Sequence, residues 1–345
     1  MAEEEPLVSV IMPVYNAGDF LKDAIDSILT QSYTNFEFLI FNDGSVDNSL
    51  EIIQSYNDSR INIAYNGQNK GYVEHLNNGI VIAKGKYIAR MDSDDIAEPN
   101  RLEKQVIFME TNNDYVICGS YANIFGNKKS HLILPSDNKS IKLFLLYNTA
   151  FCHPSVLIRK KSLIDNNLFY SKELMPAEDS DLWTRLAFFG KMYNIPEFLL
   201  NYRVHSENIS YKKRSPELLN RIKESKKRYI KKIFGSVLQN DIEIEYLYVL
   251  FFPNSTQITL EYLENISSVV NIFKNSSYIN NEFSKEELLL LLYEKFAYLC
   301  TCSTSYGFKV FSIYYLTVGN QKSFIFTVKV FLKSLIRFNS LKKIL

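Results

Sequence analysis

The sequence has few of the features that mark secreted or membrane-spanning proteins. Its four cysteines, Cys118, Cys152, Cys300 and Cys302, form no CxxC pair and no zinc-ligand spacing. The start, MAEEEPLVSV, has no basic segment followed by an apolar core, and no apolar run reaches the roughly 18 residues of a membrane span. We therefore expect buried reduced thiols, no signal peptide, no membrane span and a cytoplasmic location.

Acidic residues are absent after Glu294, where eight Lys or Arg remain. Residues 212–345 contain 20 Lys or Arg and 11 Asp or Glu, whereas residues 1–211 contain 19 and 27. The formal net charge of +1 hides this difference. Because the helical pattern also becomes continuous after about residue 211, we expect a domain at 1–210 and a basic, mainly helical region at 211–345.

The first 210 residues alternate short apolar runs with helical patterns, which is typical of an α/β domain with a mixed, mostly parallel sheet. Strands are predicted at LVSVIMPV, FEFLIFND, RINIAYN and KYIARM, the first interrupted at Pro13. Helices are predicted at about 18–31, at SVDNSLEIIQSY with a cap at Ser45 or Asp47, and at YVEHLNNGIVIA. Strands of such sheets end at one edge, where ligands bind.

After Pro99 the pattern is less regular. We predict a helix at RLEKQVIFME, a strand at YVICGSYANIFG, a further strand around Val156–Ile158, and a helix at AEDSDLWTRLAFFG that ends at Gly190.

Three carboxylates, Asp92, Asp94 and Asp95, follow the fourth predicted strand. Because like charges repel, their clustering favours a divalent cation among them, and such cations are commonly completed by substrate phosphates. We assign Asp92 and Asp94 to ribose and metal, and Asp95 in part to the cap of the next helix. The alternative is a solvated acidic cap with no metal.

The ends of the first two strands carry polar and aromatic residues. Pro13, Tyr15 and Asn16 follow the first strand, and Asp43 follows the second. An aromatic ring and a carboxylate at neighbouring strand ends can form a binding slot for a nucleobase. The aromatic ring would stack on the base, and the carboxylate would accept a hydrogen bond from an N–H group of the base. Taken alone, the DGS triplet at Asp43 is more often a simple turn.

Glu178, Asp179 and Asp181 begin the predicted helix after Pro176. We expect one of these carboxylates to be a general base that removes a proton from an acceptor hydroxyl. The alternative is that they only favour the positive end of the helix dipole. Trp183, the only tryptophan, is interpreted as core packing rather than as a platform for a sugar.

Histidines add two candidate ligands. His205, with Arg203 near it, lies in a polar stretch after an apolar run and is placed to reach the metal or a diphosphate. His153 precedes Pro154 and is assigned to the acceptor side. Histidines that only satisfy local hydrogen bonds are the alternative for both, and that structural interpretation is favoured for His75.

Taken in order, the motifs VSVIMPVYN, FNDGSVDNS, GKYIARMDSDDIAEPNRLEKQV, HPSVLIRK, AEDSDLW and NYRVHSENIS resemble those of the family 2 glycosyltransferases. The resemblance covers about residues 7–210. It implies the GT-A fold, a nucleotide-sugar half at about 1–97, an acceptor half at about 98–210, and inverting transfer from a nucleotide-diphosphate sugar.

The resemblance also implies roles for single residues. Tyr15 would stack on the base, Asp43 would bind its ring nitrogen, and Asp92 and Asp94 would hold the ribose and Mn²⁺ or Mg²⁺. Asp179 would be the catalytic base, and His205 a ligand of the metal or diphosphate. One position departs from a common family pattern, because Asn77 and Asn78 stand where many members have Arg-Asn, so no arginine contact to the nucleotide is inferred there.

The C-terminal segment is predicted to form a basic amphipathic helix. Lys322, Lys329, Lys333 and Arg337 fall on one stripe, opposite Phe324, Val328, Phe331, Leu335 and Phe338. Such a helix can lie on an anionic membrane surface, which would suit a saccharide or lipid-linked saccharide acceptor in surface polysaccharide synthesis. The alternative is a helix packed on the domain with a solvated basic face. No nucleic-acid-binding signature accompanies the charge.

Two other functions compete with transfer. A nucleotidyltransferase could share the fold and the acidic turn, but PVYNAGDF does not resemble the Gly-rich phosphate loop expected of one. A sugar-nucleotide or polysaccharide-binding module without catalysis is the other, and the presence of Asp92, Asp94 and Asp179 together argues against it.

Overall fold

The computed structural model describes residues 7–206, 208, 215–238, 240–280, 282–321 and 324–335. The chain forms two compact units, Met1–Ile222 and Lys223–Leu345. The boundary predicted between residues 210 and 211 lies outside the described residues.

The first unit is built on one mixed sheet. Its strands are β1 (Val8–Val14), β2 (Phe36–Asn42), β3 (Ile61–Asn66), β4 (Tyr87–Arg90), β5 (Ile96–Ala97), β6 (Tyr115–Gly126), β7 (Ser130–Leu132), β8 (Leu157–Arg159) and β9 (Lys191–Val204). They are ordered β3-β2-β1-β4-β8-β6-β9-β5, with β7 beside β6. The longer pairings are parallel, namely β1 with β2 and β4, β2 with β3, and β6 with β9. Strands β5, β7 and β8 pair antiparallel.

Seven α-helices connect these strands. They are α1 (Gly18–Leu29), α2 (Ser49–Gln54), α3 (Tyr72–Ile82), α4 (Arg101–Thr111), α5 (Asn138–Phe144), α6 (Lys160–Ile164) and α7 (Glu178–Leu186). The core contains the central strands and the apolar faces of α1 and α4, represented by Ile25, Phe38 and Leu102. Because β1, β2 and β4 are parallel, the loops that carry Tyr15, Asp43 and Asp92 leave the sheet at the same edge.

The sequence prediction for the first unit is confirmed for its main elements. The four N-terminal strands, the first three helices, α4, β6 and α7 all lie where the patterns indicate. The predicted ends are less accurate. Helix α2 begins at Ser49, and Asn48 at its cap position makes no side-chain cap bond. Asp47, one of the two predicted caps, accepts the backbone N–H groups of Ser49 and Gly18. Helix α7 ends at Leu186 rather than at Gly190.

The prediction that Pro13 interrupts the first strand is wrong. Strand β1 stays paired with β2 through Pro13 and Val14, opposite Phe41 and Asn42. The backbone of Val14 accepts a hydrogen bond from Asp43 of the β2 side, so the Pro13 nitrogen faces the other side, where pairing with β4 has already ended at Ile11. The missing N–H of Pro13 therefore costs no ladder hydrogen bond.

The second unit is helical. Helix α8 (Pro216–Phe234) leads into it, followed by α9 (Asp241–Phe251), α10 (Leu260–Asn275), α11 (Lys285–Cys302), α12 (Phe308–Thr317) and α13 (Phe324–Leu335). Its core is rich in fully buried rings such as Phe234, Phe273 and Phe296. None of the helices in the described residues is long and apolar enough to cross a bilayer. All four cysteines are buried and unbridged, as predicted.

Helix α13 contains part of the predicted basic amphipathic segment. Its Phe331 packs against Phe308 and Phe311 of α12, at ring-centroid distances of 6.1 and 5.1 Å. Lys329, Leu332 and Leu335 are exposed. The other predicted positions, Lys322, Arg337 and Phe338, lie outside the described residues.

Candidate active site

The loops after β1 and β2 are tied to each other at the edge of the sheet. The backbone N–H of Asn16 donates to the Ser45 hydroxyl at 3.0 Å, and the Asn16 side chain accepts from the backbone of Val46 at 2.9 Å. Asn16 itself has a φ of 50°, a conformation that asparagine tolerates better than most residues. Directly before it, Tyr15 is 55% exposed. The predicted stacking ring is therefore accessible from solvent on a fixed loop.

Asp43 lies at the end of β2 and is almost fully buried. Its Oδ1 accepts from the backbone N–H of Lys70 at 2.6 Å, and its Oδ2 accepts from that of Gly71 at 3.0 Å. The Nε2 of His75 lies 2.7 Å from Oδ1. His75, which the sequence pattern places in the core of α3, is thus in direct contact with a predicted nucleotide-binding carboxylate.

The acidic turn brings Asp92, Asp94 and Asp95 together, so that one oxygen of each lies within 4.8 Å of the others. Asp92 forms an ion pair with the buried side chain of Arg90. Asp95 is only 1% exposed. Burial and then the carboxylates of Asp92 and Asp94 raise the pKa of Asp95 well above its usual range. A negative charge on Asp95 is therefore unfavourable unless a positive charge joins the cluster.

The prediction that Asp95 caps the following helix is wrong. Strand β5 and Pro99 intervene, and α4 begins only at Arg101 with Asn100 at the cap position. Asp95 Oδ1 instead accepts the backbone N–H of Arg203 at 2.7 Å. Its other oxygen has no hydrogen-bond partner among the described residues.

Residues at the end of β9 and directly after it contact the acidic turn. His205 Nε2 lies 2.8 Å from Asp94 Oδ2, and the Asn208 side chain accepts from the His205 backbone at 2.6 Å. Arg203 donates from Nε to the backbone oxygen of Asp94 at 2.8 Å. Its guanidinium also lies over the rings of Phe20 and Phe125 and contacts Asp23. The structure therefore brings His205 and Arg203 to the acidic turn, more than 100 residues away in sequence.

These residues fit a divalent cation. Carboxylate oxygens are the ligands that Mg²⁺ prefers, and Mn²⁺ also accepts imidazole nitrogen. The cluster offers three carboxylates within reach of one ion, with His205 beside Asp94. The buried, unpartnered oxygen of Asp95 is an acceptor that a cation would satisfy.

Helix α7 presents the three predicted carboxylates in different environments. Asp179 is partly exposed, and its Oδ1 accepts the backbone N–H of Ser180 at 2.6 Å. Asp181 is buried in an ion pair with Arg185, one turn further along the helix, at 2.8 Å. Glu178 is buried, and burial followed by the neighbouring Asp179 raises its pKa to about 8. Asp179 is thus the most accessible of the three.

Around Glu178 lies a small buried polar cluster. Tyr72 of α3 is hydrogen-bonded to Glu178, and burial followed by the Glu178 charge raises the Tyr72 pKa. His153 Nδ1 is 3.9 Å from the Glu178 carboxylate, and its Nε2 is 3.0 Å from the Tyr170 hydroxyl. Burial, with Arg90 nearby, lowers the His153 pKa well below its usual value. His153 therefore belongs to the surroundings of the α7 carboxylates.

Trp183 is completely buried, which confirms the interpretation as core packing. Its indole contacts the rings of Phe151, His153 and Tyr170 edge-on, at centroid distances of 5.6 to 6.2 Å. Trp183 packs against the residues that surround Glu178, and it has no exposed surface on which a sugar could stack.

Two buried residues of α4 hold the strand ends behind the site. Arg101 donates to the backbone oxygen of Arg90 at 2.8 Å, and Gln105 donates to that of Ser155 at 2.7 Å. Burial lowers the Arg101 pKa to about 10. The sequence pattern places both residues on an ordinary helix. The one available signal is a charged residue, Arg101, at a position that the helical pattern places inside.

Comparison with known proteins shows the family of this chain. The model of the family described as glycosyl transferase family 2 matches residues 9–168. An uncharacterized glycosyltransferase of Haemophilus influenzae is 34% identical over 247 residues, which cover 67% of this chain and 76% of that protein. This chain belongs to glycosyl transferase family 2. An uncharacterized glycosyltransferase of Methanocaldococcus jannaschii is 36% identical, over 65% of this chain and 77% of that one.

Two solved structures resemble this family 2 glycosyltransferase over most of both chains. Staphylococcus aureus TarS 1–349 in complex with UDP-GlcNAc has a TM-score of 0.58 at 16% identity, covering 94% of this chain and 90% of that one. The mannosyltransferase PcManGT of Pyrobaculum calidifontis, in complex with GDP-Man and Mn²⁺, has a TM-score of 0.51 at 13% identity, covering 96% and 88%. The predicted GT-A fold with a helical C-terminal region is confirmed.

Proposed function

We propose that this glycosyltransferase is an inverting enzyme that transfers a sugar from a nucleotide-diphosphate donor, with UDP-sugars favoured, to a saccharide or lipid-linked saccharide. The observation that carries the proposal is the contact of Asp94 with His205 beside Asp92 and Asp95. It creates a compact cluster of hard ligands at the sheet edge where nucleotide ligands of α/β folds bind.

In this proposal Tyr15, Pro13 and Asn16 form one side of the base pocket and Asp43 accepts the ring N–H of the base. Asp92 serves the ribose. Asp94 and His205 would hold Mn²⁺ or Mg²⁺, and the bound ion would supply positive charge that stabilises the nucleoside diphosphate as it leaves. The TarS and PcManGT complexes with UDP-GlcNAc and GDP-Man support a donor of this class.

The acceptor hydroxyl is deprotonated by Asp179 as its oxygen attacks the anomeric carbon. The bond between that carbon and the diphosphate oxygen breaks on the opposite face, so the configuration inverts. Glu178 supports this role because its pKa of about 8 keeps it mostly protonated at neutral pH. Asp179 is the more exposed carboxylate of the adjacent pair. Asp181, Trp183 and His153 keep α7 in place.

The acceptor is proposed to be part of a surface polysaccharide, such as a capsule, or of a lipopolysaccharide, assembled at the cytoplasmic face of the cell membrane. The basic C-terminal segment supports a peripheral position there, since Lys329 and the apolar Leu332 and Leu335 are exposed on α13. Flotation with anionic liposomes tests this. Removal of residues 320–345 should release the protein, and unchanged flotation would count against this segment as the anchor.

The reaction is tested by incubating the enzyme with a nucleotide-sugar panel and Mn²⁺, with EDTA as the control. Release of nucleoside diphosphate that EDTA prevents is the expected result. Pyrophosphate-dependent activity would favour a nucleotidyltransferase instead. Donor binding, seen as a raised melting temperature without turnover, would favour a binding module.

A further inference from the structure

His75 is enclosed in the first unit beside the predicted base pocket. It is fully buried on α3, and its ring contacts those of Phe41 and Tyr65 at centroid distances of 5.3 and 4.7 Å. Its Nδ1 has no hydrogen-bond partner among the described residues. Its Nε2 is 2.7 Å from Asp43 Oδ1. Because a carboxylate only accepts, Nε2 carries the proton of this contact.

The contacts of Asp43 leave one direction open. Oδ1 accepts from His75 and from the Lys70 backbone, and these two donors occupy its two lone pairs. Oδ2 accepts only from the Gly71 backbone, at 3.0 Å, among the described residues. The loop that supplies these backbone donors is itself held by Tyr65, whose hydroxyl donates to the Gln68 oxygen at 2.7 Å. The Asp43 carboxylate is therefore held in one orientation, and one lone pair of Oδ2 is left to accept a hydrogen bond from a ligand.

We propose that His75 is a positioning residue that aims this lone pair of Asp43 at the base and thereby selects the class of nucleobase. The inference rests on the proposed function, because it takes Asp43 to be the base contact. Uracil and guanine present a ring N–H at the matching edge, whereas cytosine and adenine present a ring-nitrogen lone pair. A fixed acceptor binds the first pair and repels the second.

Without His75, the carboxylate loses one of the three donors that orient it. It can then rotate, and Oδ1 regains a free lone pair inside a buried pocket. The preference for bases with a ring N–H should fall, while the chemistry at Asp179 should not change. A residue that only fills the core would instead alter stability and leave the base preference as it was.

Two substitutions with the same amide group and different side-chain lengths test this. In His75→Gln the amide nitrogen takes the place of Nε2, and in His75→Asn it takes the place of Nδ1, so only glutamine can reach Asp43. Isothermal titration with UDP, CDP, GDP and ADP gives the ratio of affinities within each pair of similar ring size. The preference of the wild-type protein for UDP over CDP, or for GDP over ADP, should fall about tenfold or more in His75→Asn.

His75→Gln should keep most of the preference, and the KM for the donor should rise in His75→Asn with little change in kcat. The exposed His131, changed to Gln, is the control and should behave as the wild type. A folded His75→Asn variant with wild-type base preference would overturn the proposal, and so would equal losses in both variants. If His75→Asn does not fold, loss of preference in His75→Gln would also overturn it.

Asp43→Asn separates this inference from the proposed function. If Asp43→Asn removes the base preference and His75→Asn does not, the positioning role of His75 is wrong and the nucleotide site stands. If Asp43→Asn leaves nucleotide binding unchanged, the assignment of the base pocket itself is wrong, and the role of His75 fails with it.

Discussion

The two units of this chain treat buried charge differently. The first unit buries charged or titratable side chains in number, including Asp43, His75, Arg90, Asp95, Arg101, Lys142, Glu178 and Asp181. Among the described residues of the second unit, Lys226 alone is a buried charged side chain. Removing an ion from water is costly, and such groups are weak sources of stability. Their concentration around the sheet edge indicates that the first unit carries the chemistry and that apolar packing stabilises the second.

Side-chain caps also differ between the helices at the site and three helices of the second unit. In the second unit α9, α10 and α11 begin with side-chain caps from Asn240, Thr259 and Ser284. In the first unit α1, α3 and α7, which begin at or near the site, have no side-chain cap. The difference is not uniform, because α12 of the second unit has no side-chain cap and α5 of the first unit is capped by Asp137. The three helices at the site begin where the loops place them.

The largest expected effect tests the statement that the first unit carries the chemistry. Asp179→Asn should reduce turnover by about 10²- to 10⁴-fold, because the amide cannot take the proton of the acceptor hydroxyl. Donor binding measured by calorimetry should stay unchanged. The control is Asp165→Asn, an acidic residue half exposed beside Lys161. Near-wild-type turnover in Asp179→Asn would remove this residue from the role of base.

A core substitution tests the statement that apolar packing stabilises the second unit. Phe296→Ala in α11 should lower the free energy of unfolding by about 3–5 kcal/mol, because it leaves a cavity among fully buried side chains. Urea denaturation followed by circular dichroism measures this change. Leu290→Ala on the same helix, where the side chain is exposed, should cost far less. Equal losses at the two positions would contradict the view that apolar packing stabilises this unit.

The buried charge of the first unit should also appear as a pH dependence of stability. Glu178 has a pKa of about 8 in the folded protein, against an ordinary value of 4.5, so the folded state binds more protons between these limits. Stability should therefore be highest below about pH 4.5 for this group and fall as pH rises to about 8, by up to about 1.4 kcal/mol per pH unit.

Glu178→Gln should remove this pH dependence, because glutamine does not titrate. The melting temperature of the variant should therefore rise relative to that of the wild type between pH 5 and pH 8. Glu286→Gln, an exposed acid of the second unit, is the control and should show no such trend. A difference that stays constant over this range would show that Glu178 is ionised in the folded protein.

The smallest expected effect comes from a cap. Ser284→Ala should destabilise the second unit by about 1 kcal/mol, because the Ser284 side chain accepts the Glu287 backbone N–H in a capping box at the start of α11. The exposed Ser277, changed to Ala, should have no measurable effect in the same urea titration. Indistinguishable stabilities for the two variants would show that this cap contributes nothing.

The sequence predicted those parts of the first unit that depend on local patterns. Strands β1, β2 and β4 are short apolar runs followed by turn residues, so both their existence and the shared edge of their loops could be read. Strand β9 is not among the predicted strands, because Pro196 interrupts its pattern. The register shifts between Ser120 and Tyr121, next to this proline, so the strand continues past it through a bulge.

What the sequence did not predict are the contacts between residues far apart in the chain. The hydrogen bond between Tyr72 and Glu178 leaves no periodic signal, because it depends on where the fold places α3 and α7. His75 shows this most clearly. Its position on the apolar face of α3 indicates core packing, and only the path of the loop at Gly71 reveals that Asp43 lies beside it.

The contact of Asp94 with His205 has a consequence for synthesis. A ribosome makes the acidic turn long before it makes His205 and Asn208, the side chains that the structure places against Asp94. Contacts that close such long loops form late, after the local elements are in place. The nascent chain therefore carries an incomplete candidate cation site until residue 208 has emerged, and the site is assembled only once the whole sheet can close.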